Sequence, residues 1–102
     1  MDIFYKGRKN RTKANGTYDA NTGVTIVKKG SIVSENVAEF KNKENILRLR
    51  EKYVNDNGVV NEDIQFASAS SAASFVAGYS VNGLIAWHVD KHVTLREELK
   101  DR

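Results

Sequence analysis

Apolar residues alternate with polar ones in the first third of the chain and again around Trp87, and they recur at helical spacing from Glu44 onward. That change of period predicts the elements. Ile3 to Lys6 reads as a short strand, and Gly7 to Asn15 as an irregular connection that closes on an Asn15-Gly16 turn. Thr17 to Ala20 and Gly23 to Lys28 are β-rich runs split by Asn21-Thr22, the spacing of a hairpin. Val24 and Ile26 share one face of the second run, Thr25 and Val27 the other. Lys29-Gly30-Ser31 is a turn, Ile32-Val33 extends the sheet after it, and residues 34–43 show no period and read as loop.

Ile46, Leu49 and Tyr53 mark a helix over Glu44 to Asn55, with Leu47 and Val54 widening its apolar stripe. Asn42 is its expected cap, Glu44 suits the positive end of its dipole, and Gly58 is its expected left-handed stop. Val59-Val60 and Ile64 to Phe66 read as short strands. Ser68 then caps a second helix that runs to Ala77 before Gly78, burying Ala72, Phe75 and Val76. Asn82-Gly83 turns the chain into a strand, Leu84 to Val89, with Ile85, Trp87 and Val89 on one face. Thr94 to Glu97 is a capping box that opens a terminal helix anchored by Leu95 and Leu99. The expected fold is α+β: a mainly antiparallel sheet with two principal helices packed on one face and a short C-terminal helix.

At 102 residues the chain holds one domain, and its 40% hydrophobic and 28% charged content excludes a disordered or fibrous class. No apolar run approaches the roughly 20 residues of a bilayer span, and residues 1–20 lack the apolar segment of a signal peptide, so no membrane association is expected. The absence of cysteine removes disulfides, thiolate metal sites and cysteine nucleophiles, and is compatible with a cytoplasmic location.

Charge changes the picture more than composition does. Residues 1–30 carry seven Lys/Arg against two Asp, although the whole chain is only +3. Lys6, Arg8, Lys9, Arg11 and Lys13 form a basic strip, joined by Lys28 and Lys29 at the end of a predicted strand. One reading is a phosphate-binding surface, since each neutralised phosphate releases counterions. The other is a solvated loop, because no aromatic is interleaved between Lys6 and Lys13 to stack on a base.

Catalytic chemistry finds little support. His88, Asp90 and His92 alternate and would share a strand face, yet they lie at a strand end without a further ligand nearby, so no metal site is assigned. No Gly-x-Ser-x-Gly elbow accompanies Ser68, Ser70 or Ser71, and no phosphate-cradling glycine motif follows a strand. Those serines read instead as helix caps, or as an anion site at the helix N-terminus together with the amides of Ala72 and Ala73. Asn82 reads as a turn residue before Gly83, or as a recognition group exposed on that turn. No catalytic residue, cofactor or metal ligand is assigned.

The stretch from Phe66 to Trp87, with Ser68-Ala-Ser-Ser-Ala-Ala73, Gly78-Tyr-Ser-Val-Asn-Gly83 and Trp87, resembles a family of small bacterial domains of unknown function, family 4357. Lys29-Gly30-Ser31 resembles that family's Lys-Gly-Ser segment, and Leu49-Arg50 its Leu-Arg pair. Ala69 stands where the family usually has proline, and Leu84 where it often has a second tryptophan. The resemblance implies a setting at the C-terminal end of GIY-YIG nuclease-like proteins or beside restriction-modification components. It also implies kinship to a restriction-enzyme adenine-methylase-associated domain thought to recognise DNA. The expected function is therefore a non-catalytic accessory module, or a fragment of a larger protein, that binds DNA through Lys6, Arg8, Lys9, Arg11, Lys13, Lys28 and Lys29. The alternative is an interaction or structural module that docks on a catalytic partner or on the rest of a longer chain.

Overall fold

In the computed structural model, which describes residues 1–7 and 11–100, the strands β1 (Asp2–Lys6), β2 (Lys13–Tyr18), β3 (Thr25–Val27), β4 (Ile64–Phe66), β5 (His88–Asp90) and β6 (Val93–Thr94) form a single sheet. Its order is β4-β3-β2-β1-β5-β6, and every pairing is antiparallel. The helices are α1 (Lys43–Tyr53), α2 (Ala69–Ala77), α3 (Gly83–Ala86) and α4 (Leu95–Lys100). The chain is thus α+β, as its pattern predicts. No helix among the described residues is long and apolar enough to cross a membrane.

Pleating divides the sheet into two unlike faces. Ile3, Ala14, Gly16, Thr25, Val27, Ile64 and Phe66 point to one side and are buried there. They meet Ile46 of α1, Phe75 and Val76 of α2, and Trp87 and Leu95 in one core. Ala72 and Ala73 have no exposed surface, so α2 approaches the sheet closely because its side chains there are methyl groups. Ser68 caps α2 as predicted, accepting from the Ser71 N–H at 3.1 Å, and Gly78 ends it at φ +83°. The predicted capping box also forms: Glu97 N–H donates to Thr94 Oγ1 and Thr94 N–H donates to Glu97 Oε1, both at 3.2 Å. These contacts hold the Glu97 carboxylate below its usual pKa, the backbone bond from Thr94 first and its hydroxyl second.

Five local expectations are corrected. Asn15-Gly16 is no turn but the middle of β2, where Gly16 is required because a Cβ would collide with the carbonyl of Ile26 on β3. Asn42 stands at the N-cap of α1 without a side-chain capping bond. Gly58 does not stop α1, which ends at Val54 in extended backbone; it closes the later turn in which its N–H donates to Asn55 O. Leu84 to Val89 is not one strand. Asn82 Oδ1 accepts from Leu84 N–H and starts α3, so Ile85 is half exposed while Trp87, two residues later at the C-cap, is buried. The strand pattern gives way because backbone amides capped by Asn82 are already committed to a helix. Val59 and Val60 make only isolated bridges, to Ile32 and Val54.

Candidate functional site

The face of the sheet opposite the core is covered by none of the described elements. Its side chains are set by the same register that buries the other face: Asp2, Phe4 and Lys6 from β1 pair with Thr17, Asn15 and Lys13 from β2. Ile26 lies beside Thr17, and Gln65 beside Ile26. On the other flank His88 pairs with Phe4, and Thr94 with His88. Lys28 N–H donates to Asn15 O at 2.8 Å, which continues the ladder one residue past β3 and sets Lys28 beside Asn15. Each of these residues is exposed or half-buried, in contrast to the core face.

Three cations gather at one end of this surface. Lys6 and Lys13 are direct cross-strand partners, and Lys28 sits on the next strand. Strand geometry places all three Cα atoms within about 12 Å of one another. Like charges directly opposite destabilise a strand pair, and no ion pair among the described residues neutralises these ammonium groups. Beside them the rings of Phe4 and His88 stack with centroids 5.8 Å apart and planes at 29°. His88 Nδ1 lies 3.1 Å from the carbonyl of Ala86, so that nitrogen carries the proton and the ring is held from behind. Acidic groups occupy the far side, with Asp2 at the start of β1 and the Glu97 carboxylate accepting from Thr94, the residue paired with His88.

The structure divides the predicted basic strip. Lys6, Lys13 and Lys28 come together on the open face. Lys29 lies in the following turn, its N–H bound to Asp63 at 2.8 Å. Arg11 instead lines a cleft beside α1 whose wall includes Glu35, Glu51 and Asp56. Arg8 and Lys9 lie outside the described residues. Within the same cleft Arg50 is fully engaged: its guanidinium donates to the carbonyls of Ser34, Phe75 and Val76 and to Ser34 Oγ, at 2.7 to 3.2 Å. Burial pushes its pKa down to about 10, and it remains a cation at neutral pH.

The serines at the start of α2 are occupied by the chain itself. Ser68 Oγ caps Ser71 N–H and donates to Ser71 Oγ, while Ser70 Oγ accepts from Gly83 N–H at 2.9 Å. Asn82 is exposed, with its side-chain oxygen spent on α3. Asp90 bonds the N–H of Lys91, His92 is exposed, and no group of three or more His, Cys, Asp or Glu among the described residues is placed to hold a metal ion.

Phe4 belongs to no motif along the chain, and the alternation of His88 with Asp90 and His92 suggests polar chemistry and not a stacking ring. The i, i+2 spacing of Phe4 and Lys6 already places them on one strand face. The pairing of β1 with β5, across most of the chain, is what adds His88. Residues 3–99 match the family model of a domain of unknown function, DUF4357. No curated protein and no solved structure matches the chain.

Proposed function

The chain belongs to the DUF4357 family, and from its open sheet face we propose that it is a non-catalytic module that binds DNA. The observation that carries this reading is the juxtaposition of Lys6, Lys13 and Lys28 on the uncovered face, beside the Phe4 and His88 rings. Three unneutralised cations on adjacent strands suit a phosphodiester backbone, and each contact releases a condensed counterion. A setting in the cytoplasm, beside a GIY-YIG nuclease-like or restriction-modification partner, fits such a role.

The test is fluorescence anisotropy with labelled DNA, both single-stranded and duplex, at increasing salt. Three phosphate contacts give a log-log slope of about −2 to −2.7, a loss of roughly 20- to 40-fold between about 50 and 200 mM salt. Replacing Lys6, Lys13 and Lys28 together by Gln removes most of that slope and leaves the thermal transition in place, since exposed charges contribute little to the fold. Absence of binding to either DNA at low salt overturns the proposal.

A second reading rests on the exposed apolar side chains Leu47, Tyr79 and Ile85. It makes the chain an interaction module that docks on a catalytic partner. It requires a flat DNA titration and a partner whose binding is lost on replacing Ile85 or Tyr79 by a charged residue.

A further inference from the structure

The geometry of the open face points to single-stranded DNA, rather than duplex, as its ligand; we infer that the Phe4 and His88 pair is a platform on which an unpaired base stacks, and this rests on the DNA-binding reading above. A duplex hides the faces of its bases and offers a groove that admits a helix or a two-stranded ribbon. This surface offers neither. It is the broad side of a sheet on which β3, β2, β1 and β5 lie side by side, bearing Lys28, Asn15, Phe4 and His88 in one row.

Each feature of that row has a use for an unpaired strand. Stacking on each other uses one face of each ring; beyond His88 stand Thr94 and the Glu97 carboxylate it bonds, so the face offered to a base is the outer face of Phe4, towards Asn15. On the outer side of Phe4 stands Asn15, a short residue that leaves the ring clear and carries an amide suited to a base edge. Beyond Asn15, one strand further, is Lys28, and two residues along β1 and β2 are Lys6 and Lys13, so the cations border the platform without covering it. Phosphates joining splayed bases reach those ammonium groups across about 7 to 10 Å of sheet, the spacing of alternate residues along a strand and of two strands across the sheet. The half-burial of Phe4 and the bond from His88 Nδ1 to Ala86 pre-order both rings, so little is lost when a base settles on Phe4. Aromatic stacking of this kind tolerates any base, because every base has a π-face.

The experiment compares a labelled deoxythymidine oligonucleotide of about ten residues, an RNA of the same length and a hairpin duplex, at about 50 mM salt. Single-stranded DNA is expected to bind at least about tenfold more tightly than the duplex. Phe4→Leu keeps an apolar side chain on the strand but removes the ring; it should weaken single-strand binding by about tenfold and leave duplex binding unchanged, which a merely structural role for Phe4 would not do. His88→Ala should weaken the single strand in the same selective way, and serves if Phe4→Leu fails to fold. Duplex binding as tight as single-strand binding, with both ring variants neutral, overturns this inference and leaves the DNA-binding reading standing. Tighter binding of the RNA overturns the assignment to DNA. Loss of all binding at this salt overturns both readings.

Discussion

The indole N–H of Trp87 donates to the carbonyl oxygen of Ala69 across 3.0 Å, tying the end of α3 to the first residue of α2. Around that bond the two helices interlock. Ser70 Oγ accepts from the N–H of Gly83, and a Cβ at Gly83 would collide with the backbone of Ala69 and Ser70. Serine, glycine and tryptophan, the residues by which the chain resembles its family, therefore make one packing unit.

Truncating Trp87 should unfold much of that unit. Trp87 has no exposed surface, so Trp87→Ala is expected to cost about 3 to 5 kcal/mol in chemical denaturation. Gly83→Ala should cost at least about 1 to 3 kcal/mol, because the atoms its methyl meets are backbone and cannot rotate away. A neutral Gly83→Ala would show that the helices are not in contact there.

The three serines of α2 should rank by what each hydroxyl holds. Ser70→Ala leaves the buried Gly83 N–H without an acceptor, a loss of about 1 to 3 kcal/mol. Ser68→Ala removes the helix cap, costing about 1 kcal/mol. Ser71→Ala keeps that cap and should cost less than about 0.5 kcal/mol. Equal losses for the three variants in urea titrations would contradict the assignment.

Arg50 is predicted to be a structural cation that no lysine replaces. Its guanidinium joins the carbonyls of Phe75 and Val76, in the last turn of α2, to Ser34 in the loop. Cations stabilise a helix C-terminus, and a planar fork reaches several acceptors where an ammonium reaches few. Arg50→Met should cost at least about 2 kcal/mol, and Arg50→Lys should recover less than half of it. Full recovery by lysine, read from the denaturation midpoint, would rule out the multiple-acceptor role.

Tyr5 should titrate apart from the other tyrosines. Burial against the core, then the charge and hydroxyl of Tyr79, push its pKa up to about 12. The raised value means that the folded state holds the proton more tightly than the unfolded state does. The resulting stabilisation is fully present below about pH 10 and is lost as pH rises towards 12. Of the four tyrosines, one should ionise late in tyrosinate absorbance, and Tyr5→Phe should abolish that late step. A Tyr5→Phe difference spectrum with an ordinary midpoint near 10 would contradict it.

What the sequence determined by itself is local. The cap at Ser68, the stop at Gly78, the Thr94 to Glu97 box and the hairpin joining β2 to β3 are each decided by a few neighbouring residues, whose side chains satisfy backbone groups within one or two turns. Elsewhere the same local chemistry was outvoted. Asn15-Gly16 has the residues of a turn, but eight cross-strand partners, five on β1 and three on β3, hold extended chain there, and the glycine serves the approach of Ile26. Leu84 to Val89 has the alternation of a strand, but Gly83 pressed on Ala69 and Trp87 bonded to it wind its first half into α3. The candidate site belongs to this second kind. Lysines could be counted along the chain, yet strand order alone sets Lys28 beside Asn15, brings His88 from near the far end onto Phe4 and sends Arg11 to a different cleft. Strand pairing joins residues far apart in sequence through backbone hydrogen bonds that look alike at every position, so the choice of neighbour is made by the burial of the opposite face, a property of the whole fold.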